Sequence, residues 1–136
     1  MKTRNLEEIR EKVEQIRDEQ GKPIDEKIKE LVVGLQYCGI DTVVSCEGHL
    51  DHGFPYPWVA VPYYFAEKLA KVVGWQNSPM IRNGVQNENT WVIRPNINLR
   101  LMPEDRNLLL EELQKRAIEF GIFLQTCGEK TKSRLK

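Results

Sequence analysis

The chain has 136 residues, 40% of them hydrophobic, and its 20 basic and 20 acidic side chains leave no formal net charge. That length suits one domain able to bury its own core, and the charge balance excludes a globally basic nucleic-acid binder, so any such contact must come from a local patch. No run of about 18 apolar residues exists to span a membrane, no secretory leader opens the chain, and three scattered cysteines (Cys38, Cys46 and Cys127) fit a reducing cytoplasm better than a disulfide framework.

Asn5 followed by Glu8 has the spacing of a capping box, and Leu6, Ile9, Val13 and Ile16 then form one narrow apolar seam. The spacing predicts an amphipathic helix within residues 1–20, stopped by Gly21 and Pro23. Its seam either lies on its own domain, the preferred reading, or pairs with another chain as a homo-oligomer contact. A second helix carries a wider stripe of Ile24, Ile28, Leu31, Val32 and Leu35, and Gly39 followed by Ile40 predicts a Schellman close. The β-branched run from Ile40 to Cys46 predicts a short buried strand, and Pro57 to Val61 a second one. Residues 63–75 have helical spacing, with Phe65, Leu69, Val72 and Val73 inward, and residues 76–89 are a turn-rich excursion.

In residues 90–102 the apolar side chains Trp91, Ile93, Ile97, Leu99 and Leu101 share odd parity across Pro95. One extended path bulged at Pro95 keeps that face clean, whereas a hairpin there would mix the faces. Thr90, Arg94, Asn96, Asn98 and Arg100 then share the other face. Pro103 opens a further helix that Gly121 closes, and Ile122–Thr126 reads as a last strand. The expected class is α+β, a small mixed sheet packed with helices in the order α-α-β-β-α-β-α-β. One domain covers residues 1–128, and residues 129–136 form a basic, disordered tail.

Chemistry concentrates in Ser45–Trp58, SCEGHLDHGFPYPW, which holds both histidines of the chain. Three readings compete. Cys46, His49 and His52 offer thiolate and imidazole ligands for zinc, and three such ligands leave a catalytic position open. A metal-dependent hydrolase would follow, although three ligands from seven residues demand a tightly curled loop. Cys46 with His49 could instead form an activated nucleophile. The favoured reading is a ligand cradle. Gly48 admits close backbone approach there, Ser45, Cys46, Asp51 and His52 line the site, and Tyr56 and Trp58 give flat faces. Arg94, Asn96, Asn98 and Arg100 would supply an anion-binding wall if the two segments converge. Glu47 and His49 are then the catalytic candidates for proton transfer. The expected partner is a small anionic ligand, a nucleotide or RNA; the rival is a non-catalytic protein that sequesters a nucleotide or docks a partner.

At GKPIDEKIKELVVGL (21–35) and TVVSCEGH (42–49) the chain resembles the tRNA wybutosine-synthesis methyltransferase family. Gly21, Asp25, Ile28, Leu31, Val32, Thr42, Ser45, Cys46 and Gly48 fall on that family's pattern. Glu47 replaces a small serine there and His49 replaces an arginine, so an anion-pairing residue has become a titratable one. The resemblance implies a shared fold, a pocket in the same place and methyl transfer from S-adenosylmethionine, whose site no motif here locates. The S-C-x-G-H loop also resembles those of small bacterial and phage proteins.

Overall fold

Asn5 opens the first helix as its spacing to Glu8 predicts. Its Oδ1 accepts the Glu8 N–H at 2.8 Å and its Nδ2 donates to Glu8 Oε1 at 3.2 Å. The computed structural model describes residues 5–51, 55–73, 85–87, 90–95 and 106–135. Helix α1 spans Leu6–Glu14 and buries Ile9 and Val13 in the chain's own core, the preferred of the two expectations for its seam. It ends well before Gly21. A turn follows in which the Asp18 carboxylate accepts the N–H groups of Gln20 and Lys22 at 2.8 and 2.9 Å, and Arg17 bridges to Pro23.

Helix α2, Glu26–Tyr37, is the centre of the molecule: Ile28, Leu31, Val32, Val33 and Leu35 are all fully buried. Burial on so many sides marks a helix covered by neighbours rather than one lying on a surface. It closes as a Schellman motif. Gly39 takes φ +85°, its N–H donates to Gln36 O, and the Ile40 N–H donates to Leu35 O at 3.0 Å.

The remaining elements are β1 (Val44–Cys46), β2 (Trp58–Pro62), α3 (Tyr63–Val73), β3 (Val85–Asn87), β4 (Thr90–Ile93) and α4 (Arg106–Leu135). The sheet order is β1-β2-β4-β3 with every pair antiparallel, so the expectation of a mixed sheet resolves to an antiparallel one within the α+β class. β3 lies in the segment expected to be only turns; three residues are too few for alternation to reveal. No described helix is long and apolar enough to cross a membrane.

Two expectations at the C-terminal end are corrected. Ile122–Thr126 is not a strand, and Glu129–Leu135 is not a disordered tail: both continue α4. Leu113, Ala117, Phe120 and Leu124 are buried at intervals of four, three and four, a helical stripe that runs straight through Gly121. Gly121 is helical because α4 lies against α2 there. A Cβ at Gly121 would stand 2.6 Å from the Leu31 nitrogen, and one at Gly34 would stand 2.6 Å from the Gly121 carbonyl oxygen. Gly128 meets the Tyr37 ring in the same way.

A polar clasp joins three helices. Arg10 forks onto Glu30 with bonds of 2.7 and 3.0 Å, and Gln125 of α4 joins both partners. The Arg10 hydrogen bond holds the Glu30 carboxyl below its ordinary range, against a smaller opposing effect of burial. A carboxylate depressed in the folded state adds stability above its unfolded pKa and loses it as pH falls through the folded value. Because both side chains are about a third exposed, Glu30→Gln should cost only about 1 kcal/mol at neutral pH. Urea unfolding of both proteins at pH 7 and pH 3 checks this, the gap between them narrowing at the lower pH.

Candidate functional site

The loop after β1 is held by an exchange of caps. Asp25 stands at the N-cap of α2 but makes no capping bond with its own side chain. Its Oδ2 accepts the Glu47 N–H at 3.2 Å instead, and Glu47 Oε2 accepts the Lys27 N–H at 3.1 Å. The loop carboxylate thus satisfies one of the open donors of the helix. Gln114 of α4, buried, donates to Glu47 O at 3.0 Å and pins the loop from the other side.

Gly48 is buried with φ +92°, where an added Cβ would stand 2.7 Å from the Tyr56 carbonyl carbon and 2.8 Å from Leu110 Cδ1. Both the left-handed backbone and the backbone contact require glycine. Gly48→Ala should lower stability by about 1–3 kcal/mol, read as a lower urea midpoint.

These restraints bring together Asp25, Cys46 and His49, whose ligand atoms all lie within 4.8 Å of one another; His49 Nε2 is 3.9 Å from Asp25 Oδ2. Zinc–ligand bonds of ordinary length put tetrahedral ligand atoms about 3.3–3.8 Å apart, so the three are within a rotamer adjustment of closing on an ion. They come from two elements distant in sequence, which removes the objection to a site curled entirely within one loop. Asp25 takes the third place that the sequence reading gave to His52, which lies outside the described residues.

Cys46 Sγ accepts the Gly48 N–H at 3.4 Å. Burial pushes the thiol pKa up, that N–H opposes it, and the negative charges of Asp25 and Glu47 add to the rise. A bare Cys46 is therefore a protonated thiol at neutral pH and a poor nucleophile. A cation among the three groups would reverse this, because a coordinated thiol is deprotonated.

On the neighbouring strands, Cys46 pairs with Trp58 and Val59 pairs with Ile93, and Arg94 directly follows the end of β4. The Arg94 guanidinium lies 5.4 Å from the centroid of the buried Tyr56 ring, and the Tyr56 main chain is what Gly48 touches. Burial raises the Tyr56 pKa, with Arg94 partly offsetting it. Arg94 Nη1 is buried and has no hydrogen-bond partner among the described residues. An unmet buried donor costs about 1–3 kcal/mol, and more when charged, and the tyrosine face does not replace an acceptor for its N–H groups.

The Gly48 loop and Arg94 thus both contact Tyr56, one at its main chain and the other at its ring. Trp58 is half-buried beside Cys46, and Asp51 is exposed. Ser45, one residue from Cys46, lines an adjoining groove of about 480 Å³ with Arg17, Lys22, Ile24, Asp25 and Thr42, so Asp25 borders both the groove and the triad. Asn96, Asn98 and Arg100 lie outside the described residues. Sequence reasoning placed Asp25 only through the family resemblance and missed Leu110 and Gln114. Asp25 did carry a signal, an acidic residue just ahead of an apolar helical stripe, but that signal reads as a cap.

No family model, curated protein or solved structure matches the chain.

Proposed function

We propose that the protein binds a transition metal of the zinc class through Asp25, Cys46 and His49, and takes an exogenous ligand at the remaining coordination position. The approach of three different ligand atoms to within 4.8 Å of one another carries this reading. A thiolate with an imidazole selects borderline ions such as zinc or cobalt over magnesium or calcium, and three protein ligands are the pattern of open, catalytic sites. The backbone donors on Asp25 and Cys46 serve as the outer supports that such ligands need.

When bound, such an ion supplies Lewis acidity and a nucleophilic water near neutral pH, the chemistry of metal-assisted hydrolysis. His49 is then a ligand rather than a proton carrier. Glu47 keeps its Oε1 for proton transfer, because the Lys27 N–H engages Oε2. A second reading follows from the Asp25–Glu47–Lys27 exchange: the same residues form a hydrogen-bonded scaffold for a metal-free cradle, the setting for nucleotide binding or methyl transfer.

Equilibrium dialysis of chelator-stripped protein against zinc separates the two. One zinc per chain, with at least about a tenfold loss of affinity in Asp25→Asn, supports the metal centre. Absence of uptake leaves the scaffold.

A further inference from the structure

Arg94 is the one side chain near the triad whose buried cationic nitrogen has no partner among the described residues. Its place follows from the register. Cys46 lies on β1, on one side of β2, and Arg94 directly follows Ile93, which pairs with Val59 on the other side, so the two backbones are about 10 Å apart. Tyr56 links them, its main chain against Gly48 and its ring beneath the guanidinium.

We infer that the open metal position and Arg94 are the two ends of a single site for a tetrahedral oxyanion, a phosphate or phosphate monoester. This rests on the metal reading above. A guanidinium nitrogen buried without an acceptor is matched by an anion, and the planar fork fits phosphate or carboxylate oxygens. Phosphate is favoured because its oxygens diverge from one centre. One can occupy the metal's fourth position while two others accept from the Arg94 fork, whereas a carboxylate that gives one oxygen to the metal has a single oxygen left for the guanidinium. The Tyr56 ring, 5.4 Å from the guanidinium, holds the donor near this position before the ligand arrives.

Calorimetric titration of the zinc-loaded protein with inorganic phosphate and with adenosine monophosphate tests the site, with wild type, Arg94→Gln and Arg94→Lys compared. Zinc affinity and the thermal midpoint are measured on each variant. Wild type should bind, Arg94→Gln should weaken binding at least tenfold with zinc affinity unchanged, and Arg94→Lys should recover part of the loss. Stripping the zinc should abolish binding. Binding of both probes supports a phosphate ester as the ligand, and binding of inorganic phosphate alone supports the free ion. Normal zinc uptake with phosphate binding indifferent to Arg94, or undetectable in wild type, overturns the inference and leaves the metal centre standing. Failure to take up zinc removes both.

Discussion

Replacing Gly121 with alanine should cost more than about 3 kcal/mol, at or beyond the upper end of ordinary overpacking. The reason is what the new methyl would meet. Most overpacked side chains push aside another side chain, which rotates at modest cost. At Gly121 the obstacle is the main chain of α2 at Glu30 and Leu31, with the Leu31 nitrogen 2.6 Å from the added carbon. That backbone is fixed by its own helical hydrogen bonds, so relief requires the two helices to separate along an interface that includes Leu31, Leu35, Ala117, Phe120 and Leu124. Gly34→Ala should act in the same direction, because its methyl would press on the Gly121 carbonyl oxygen. The two substitutions should not be additive, since either one already parts the helices. Urea unfolding measures both, with exposed Glu119→Ala as the control expected within about 0.5 kcal/mol of wild type.

The second large effect is on metal affinity. Cys46→Ser should lower zinc affinity by more than about 100-fold, beyond the range seen for loss of an outer support, because a neutral hydroxyl replaces the anionic sulfur ligand. Stability should change little by comparison, since Cys46 is only half-buried and its sulfur makes the weak 3.4 Å contact with the Gly48 N–H. His49→Gln should weaken binding in parallel. Cys38→Ala is the informative contrast. Cys38 is buried in the core with its sulfur 3.8 Å from the Leu124 carbonyl, so its loss should lower stability and leave zinc affinity unchanged. Competition against a chromophoric chelator measures all three variants.

The elements that sequence reasoning located well are those whose signals are local. The Asn5–Glu8 box, the Gly39–Ile40 close and the apolar stripe of α2 depend on residues within one or two turns, and each forms as its spacing predicts. The end of α4 failed for a physical reason. Glycine after an apolar stripe usually terminates a helix, but it also permits two helix backbones to touch, and the sequence of one helix does not reveal its partner. The stripe from Leu113 to Leu124 did continue across Gly121, and a helical period sustained past a glycine outweighs the glycine itself.

The site divides along the same line. The Gly48 loop stood out because scarce residue types crowd into it, whereas the contacts that it and Arg94 each make with Tyr56 are packing that neither segment shows alone. Asp25 was harder to see as a candidate ligand because its distance from Cys46 along the chain is closed only by the packing of α2 beside β1. The capping exchange with Glu47 and Lys27 links residues some twenty positions apart, and neither carboxylate alone suggests it.

Cobalt(II) titration with absorption spectroscopy tests the metal centre most directly, since cobalt reports both its coordination number and a bound thiolate. Wild type should take up one cobalt with the intense visible bands of a tetrahedral ion and a near-ultraviolet sulfur-to-cobalt charge-transfer band that Cys46→Ser removes. A spectrum no different from cobalt in buffer, or a charge-transfer band that survives Cys46→Ser, would contradict the assignment of Asp25, Cys46 and His49 as its ligands.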